Sequence, residues 1–352
     1  MLNDFDFDLP QELIAQERSE RGASRLLYRD INGSLHDKLF RDVTELLKEG
    51  DILVLNDTRV IPSCLYGTVN DLPLKVNLIN KIPSAIGQMW EFLSKPRKRT
   101  EVGSIVNFSD KLIGVVIEKF NHNDIDMVEF FTSDNEKIIS DIDFYRLLDE
   151  VGQMPLPPYI RRNATLEDKD QYQTVFSRVN GSVAAPTAGL HFTDEILQQL
   201  KAIGVEIAYI TLHVGGGTFL PVRTEDISKH KMHSEFYSID SSLCKLINDA
   251  KLNNRRVVAV GTTVTRTLES AAGFCGNALY PHSSYTDIFI RGDFNFKVVD
   301  ALITNFHLPK STLFMLVCSF LGSTKAGQDL YKYAIDARYK FFSYGDPCFL
   351  VR

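Results

Sequence analysis

The residues able to do chemistry fall into a few short runs. The densest is Thr304-Asn305-Phe306-His307-Leu308-Pro309-Lys310-Ser311-Thr312, which puts an amide, an imidazole, an ammonium and several hydroxyls close together. Gly261-Thr262-Thr263 follows an apolar stretch and leads into Arg266, Glu269 and Ser270. A glycine turn opening a helix presents free backbone N–H groups to an anion or a polar ligand. His213 precedes Gly215-Gly216-Gly217-Thr218, where missing side chains let the backbone approach a ligand closely. The stretch 182–192 is rich in small residues and carries Thr187 and His191. His230, His233 and Glu235 form a further cluster, and the lysines on each side of His230 favour a solvated turn there. Their spacing is not that of a helix-borne zinc signature, so no metal is expected. There is no G-x-S-x-G elbow, Walker loop or cysteine nucleophile motif.

Most of these runs lie at the ends of expected strands or the starts of expected helices. Helices are expected at 193–203 with Thr193 as N-cap, 241–253 with Ser241 as cap, 263–272, 311–321 and 327–338. Apolar stretches at 52–55, 205–214, 256–260, 285–290 and 301–304 read as strands. Open α/β sheets place ligands at strand ends, so Asn305, His307, Lys310, Ser311 and Thr312 are expected to face one pocket. The alternating Asp4-Phe5-Asp6-Phe7-Asp8-Leu9 suggests a short strand. Between 64 and 140 the texture changes to short β-rich runs at 74–79, 89–93, 104–108, 112–120 and 125–131, the pattern of a small barrel or sandwich. The expected architecture is an α/β body, 1–63 plus 141–352, interrupted by an all-β domain at 64–140.

Composition sets the outer limits. The chain has 352 residues, 44% hydrophobic and 24% charged, which excludes a disordered polymer. No apolar run approaches a membrane span, and the N-terminus lacks signal-peptide features, so a cytoplasmic protein is expected. The net charge of −6 means that a nucleic-acid partner would be met by local patches rather than by the overall field. Lys95, Arg97, Lys98 and Arg99 are the densest basic cluster, with Arg161 and Arg162 a second. Five scattered cysteines argue for free thiols rather than a disulfide framework.

Several runs, in order along nearly the whole chain, resemble the S-adenosylmethionine:tRNA ribosyltransferase-isomerase family of queuosine biosynthesis. They include Asp4 to Pro10, Asn56-Asp57-Thr58-Arg59-Val60-Ile61-Pro62, Pro155 to Ile160, Tyr172-Gln173-Thr174-Val175 and Ala184 to Thr193. Leu212-His213-Val214-Gly215, His233-Ser234-Glu235, Gly261 to Ser270, Thr304 to Thr312 and Phe341 to Asp346 complete the set. Ser63-Cys64 departs from a usual Ala-Arg pair, which leaves position 64 without the family's cation.

The resemblance implies an α/β, barrel-like main domain with an inserted all-β barrel. It implies transfer and isomerisation of the ribosyl part of S-adenosylmethionine onto 7-aminomethyl-7-deazaguanine at the tRNA wobble position. The products would be epoxyqueuosine-tRNA, adenine and methionine. S-adenosylmethionine is then a consumed substrate, no cofactor is needed, and a monomer without a stable protein partner or membrane contact is expected. The sulfonium acidifies the adjacent C5′–H for a general base. His213 ranks first for that role and His307 second, with His191 and His233 as the remaining catalytic candidates. Expected substrate contacts are Asn56, Asp57, Thr58 and Arg59 from the early turn, and Thr187, Gly217, Thr218 and Glu235 from the middle runs. Thr262, Thr263, Arg266 and Glu269, then Asn305, Lys310, Ser311 and Thr312, and finally Tyr344 and Asp346, complete the expected contacts. The two basic clusters are the expected tRNA surface. Two rival readings are an RNA-binding module without catalysis and a metal-dependent hydrolase built on His230 and His233.

Overall fold

Continuous apolar runs fold into strands buried on both faces. Every residue of Ile52–Asn56, Val257–Val260, Ala301–Asn305 and Pro347–Val351 is buried. A computed structural model describes residues 1–352 except 121–123, 220, 221, 223 and 275–277, and the side chains of Thr218, Phe219 and Phe274 also lie outside the described set. These strands form the centre of a nine-stranded mixed sheet. Its order is His282–Thr286, Glu235–Ile239, Glu206–Leu212, Ile52–Asn56, Val257–Val260, Ala301–Asn305, Pro347–Val351, Arg25–Arg29 and Leu35–Leu39. The four strands from Glu206–Leu212 to Ala301–Asn305 are parallel. Their ends therefore fall on one side, where the chemistry-bearing runs begin.

Both faces of the sheet are covered. Ile52, Val54, Ile210 and Leu212 pack into a core shared with helices Ser241–Leu252, Thr262–Phe274, Thr312–Phe320 and Thr324–Asp336. Leu53, Leu55, Val258 and Ile303 face a second core built with Phe40, Phe192 and helix Asp194–Ala202. Two caps are as expected: Thr193 accepts from the Ile196 N–H at 3.2 Å, and Ser311 from that of Phe314 at 3.1 Å. A third differs. The carboxylate of Asp240, not Ser241, caps Ser241–Leu252, since Asp240 accepts from Leu243 at 2.8 Å. The first residues are not a strand. Leu2–Phe5 is a 3-10 turn, and Phe7 packs edge-on against Phe314 and Tyr331. Aromatic burial rather than strand pairing explains the alternation.

Strands between residues 64 and 132 form a closed six-stranded barrel in the order Ile125–Thr132, Gln88–Lys95, Leu72–Ile82, Cys64–Val69, Ile105–Asn107 and Leu112–Lys119. Strand Cys64–Val69 had no signal in the sequence pattern. The nine-stranded sheet, by contrast, is open, with His282–Thr286 and Leu35–Leu39 at its edges. Trp90 and Phe130 fill the barrel together with Phe144 and Leu148 of helix Asp141–Val151.

Candidate active site

Where the parallel strands end, a cavity of about 450 Å³ opens, within the roughly 300–1,000 Å³ usual for small-ligand sites. Two helix N-termini reach it. Thr262 and Thr263 start one helix just after Gly261, whose φ of +91° suits the sharp strand-to-helix turn. Ser311 and Thr312 start the other. Unpaired amides and the helix dipole favour negative charge at both.

The charged wall is a buried ion pair. Arg266 donates to Glu235 Oε2, and the two side chains are 4% and 3% exposed. The second carboxylate oxygen accepts from the Gly215 N–H at 3.0 Å. His230, His233, Thr187, Gly217, Asn305, His307 and Lys310 also line the cavity. His307 Nε2 lies 3.1 Å from Thr304 Oγ1, and desolvation lowers its pKa to about 3. Asn305 donates to the Phe342 carbonyl at 2.8 Å and so fixes the loop 342–345. Lys310 forms an ion pair with Asp6 at 2.8 Å, and its N–H donates to the Phe5 carbonyl. Ser311 spends its hydroxyl locally, donating to Leu308 at 2.7 Å while capping its helix.

Other expected site residues lie behind the wall and hold it in place. His191 sits between Ser24 Oγ, 2.9 Å from Nδ1, and Asn305 Oδ1, 3.3 Å from Nε2. Burial, with Arg18 nearby, lowers its pKa to about 3, so the ring is neutral and donates through Nε2. His213 is not among the lining residues. Its Nδ1 lies 2.8 Å from Thr58 Oγ1, its ring stacks on Phe236, and desolvation lowers its pKa to about 4. Asn56 joins strand ends by accepting from Leu212 N at 3.1 Å and donating to its carbonyl at 3.0 Å. Asp57 accepts from Arg178 at 2.7 Å and from Thr211 Oγ1 at 2.7 Å. Glu269 accepts three backbone N–H groups, from Lys297, Val298 and Val299, at 2.8–3.0 Å. Asp346 holds the Arg25 and Lys340 amides. Tyr344 is buried beside Asp168. Arg59 is exposed on strand Thr58–Val60. Thr218 lies in the turn Gly216–Phe219 with its side chain outside the described set.

The glycine run has a different neighbour from the one expected. A Cβ on Gly215 would fall 1.9 Å from Asn80 Oδ1, and one on Gly216 2.7 Å from Ile79, both in a barrel strand. Only Gly217 faces the cavity, where a Cβ would meet the His233 ring at 2.4 Å. The run is where the barrel docks and where His233 packs closely against the backbone.

The basic clusters are partly consumed. Arg97 binds the buried Asp126 through two nitrogens, at 2.6 and 3.0 Å, and Arg162 holds Asp168 at 2.6 and 2.8 Å. Arg99 donates to the Pro73 carbonyl. Lys95, Lys98 and Arg161 remain exposed. Cys64, Cys318 and Cys348 are buried free thiols, Cys244 is buried as well, and Cys275 lies outside the described residues. Among the described residues no three His, Cys, Asp or Glu side chains cluster as a metal site would require. Sequence reasoning missed Tyr159, Tyr172, Phe342 and Ser343 on the cavity wall, although each stood inside a run used for the resemblance. His230 was set aside for its flanking lysines, yet it lines the cavity.

A part-open cavity at the ends of parallel strands, mostly apolar but with a buried ion pair and three imidazoles on its wall, is the kind of site in which an enzyme holds a small-molecule substrate. Comparison with known proteins is more specific. The family described as "Queuosine biosynthesis protein" matches residues 2–350, and the chain belongs to it. A relative from Caldanaerobacter subterraneus subsp. tengcongensis, named S-adenosylmethionine:tRNA ribosyltransferase-isomerase, is 46% identical over 352 residues and is covered over 99% of both chains. The crystal structure of an S-adenosylmethionine tRNA ribosyltransferase from Thermotoga maritima is 32% identical, with a TM-score of 0.55, over 99% of this chain and 100% of that one.

Proposed function

We propose that this protein transfers and isomerises the ribosyl part of S-adenosylmethionine onto 7-aminomethyl-7-deazaguanine at the tRNA wobble position, releasing adenine and methionine. The observation that carries this reading is the cavity itself, which combines a buried Arg266–Glu235 pair, imidazoles and two helix N-termini at one set of strand ends. The helix N-termini suit the carboxylate of the methionyl part. Family membership and the full-length relative support the same reaction.

The base that takes the C5′ proton must reach the cavity and be unprotonated when substrate binds. His233 meets the first condition and packs against Gly217. We assign it that role ahead of His307, whose desolvation makes it a weak base. His213 and His191 act by positioning, through Thr58 and Asn305 respectively. The acceptor amine attacks unprotonated, and epoxide closure expels neutral methionine. No metal and no resident cofactor enter this scheme. The protein works as a cytoplasmic monomer, and residues 64–140 act as an inserted domain. No helix among the described residues is long and apolar enough to cross a membrane.

Incubation with S-adenosylmethionine and tRNA bearing the aminomethyl-deazaguanine tests the reading. Free adenine and a heavier wobble nucleoside should appear together, and a protein that releases no adenine does not catalyse this reaction. Solvent-hydrogen exchange at C5′ tests the base: His233→Ala should lose it and His213→Ala should retain it.

A further inference from the structure

The outer face of the barrel carries a row of side chains that the reaction chemistry above does not use. Tyr66, Lys75 and Lys95 stand side by side on three neighbouring strands, Tyr66 opposite Lys75 and Lys75 opposite Lys95. Their strand neighbours Leu65, Leu74 and Val76 fill the barrel core, so the alternation of a strand turns the row outward. Tyr66 is 47% exposed, Lys95 is exposed and Lys75 is half-buried. With strands about 4.8 Å apart, the row is about 10 Å long.

An exposed aromatic ring offers a π-face to an unpaired base, and cations beside it meet the neighbouring phosphates. A duplex stacks its bases on one another, so such a ring selects single-stranded RNA. The Lys75 ammonium lies 5.6 Å from the Tyr66 ring centroid. The Tyr66 hydroxyl and the Lys75 ammonium are both turned toward the buried Cys64 thiol, two residues before Tyr66, which lays the ring along the barrel wall. Among the described residues neither Lys75 nor Lys95 takes part in an ion pair, so both charges are available to an anion. Of the acids on these strands, Glu91 accepts from Asn80 at 2.7 Å.

The same face leads to the cavity. From Lys75 it continues through Asn77 to Asn80, roughly 15 Å at 3.3 Å per residue. Asn80 and the bulge residue Ile79 pack against Gly215 and Gly216, and Gly217 lines the cavity. An RNA whose reacting nucleotide enters the cavity can therefore run on across this face.

We propose that Tyr66, Lys75 and Lys95 form a docking surface for the single-stranded RNA next to the nucleotide under modification. Tyr66 stacks on an unpaired loop base, and the two lysines meet the phosphates beside it. The inference rests on the ribosyl-transfer reading above for the identity of the RNA.

The test compares Tyr66→Leu, which removes the ring, with Tyr66→Trp, which keeps a π-face. Fluorescence anisotropy reads binding of the labelled anticodon stem-loop of the substrate tRNA, with a blunt duplex of the same stem as control. Tyr66→Leu should weaken stem-loop binding by about tenfold and leave duplex binding unchanged, and Tyr66→Trp should restore it. Lys75→Gln combined with Lys95→Gln should flatten the slope of log K against log salt by roughly 0.7 for each phosphate released. In turnover, Tyr66→Leu should raise the KM for tRNA while kcat and the KM for S-adenosylmethionine hold. Melting temperatures should stay at the wild-type value, because the ring is on the surface. Stem-loop affinity of Tyr66→Leu within about twofold of wild type, an equal loss in Tyr66→Trp, or an equal loss on the duplex would each overturn the assignment. An acidic protein as the true occupant would leave RNA affinity unchanged in all these variants, and so would also overturn it. Binding needs no turnover. A wild type that holds the stem-loop through Tyr66 but releases no adenine sinks the reaction and leaves the surface standing. An active enzyme whose RNA affinity ignores Tyr66 sinks the surface alone.

Discussion

His191 shows how a residue can be marked by its chemistry and yet serve geometry. Its neutral ring holds Asn305, and Asn305 holds the loop that carries Phe342 and Ser343. Its pKa of about 3 lies below the ordinary histidine value of 6.5, so the unfolded chain binds a proton that the native state does not. Stability from this site is present above pH 6.5 and is lost as pH falls toward the folded value. The slope is about 1.4 kcal/mol per pH unit, or roughly 2 kcal/mol by pH 5. Denaturant midpoints measured from pH 7 to pH 4 should fall accordingly, and His191→Gln should remove about one proton from that dependence. Equal slopes in the two proteins would mean that His191 is not buried neutral. From the sequence, His191 and His307 were both catalytic candidates, with His307 ranked ahead. Their difference lies in which atoms surround them, and strand-end position alone does not reveal it.

Elements whose signal was local were legible, and those defined by distant partners were not. Thr193 and Ser311 cap their helices because a cap is set within four residues. The parallel strands were visible because burial on both faces leaves no polar alternation. Strand Cys64–Val69 was invisible because its partners, Leu72–Ile82 and Ile105–Asn107, decide its pairing. The glycine run is the instructive case. The sequence showed that something must approach closely, but not that Asn80 and Ile79 of the barrel do so at Gly215 and Gly216. Only Gly217 bears on the cavity. Gly217→Ala would push a methyl into the His233 ring, so kcat should fall by at least tenfold. The melting temperature should drop by only a few degrees, consistent with an overpacking cost of about 1–3 kcal/mol. A variant with normal kcat would show that the position of His233 against this turn does not matter to the reaction.

For the whole molecule the question is how a chain of net charge −6 meets an anionic partner. Many of its cations are committed internally: Arg162 to Asp168, Arg178 to Asp57, Arg256 to Asp51, and Arg97 to Asp126. The basic run of the barrel therefore divides by function. Arg97 neutralises a carboxylate that is 0% exposed, whereas Lys95 and Lys98 face solvent beside it. Removing Arg97 strands that buried charge, so Arg97→Ala should cost about 2–4 kcal/mol of stability, discounted for the 27% exposure of its side chain. Neutralising Lys95 and Lys98 together should leave stability within about 0.5 kcal/mol. If the barrel carries tRNA phosphates, the same double substitution should reduce the slope of log K against log salt by roughly 0.7–0.9 for each phosphate that is no longer neutralised. Titrating tRNA into both variants across a salt series, with melting curves alongside, separates the roles. An unchanged slope for the lysine pair would move the phosphate-binding surface off the barrel, leaving exposed body cations such as Arg161, beside Tyr159 at the cavity rim, to supply it.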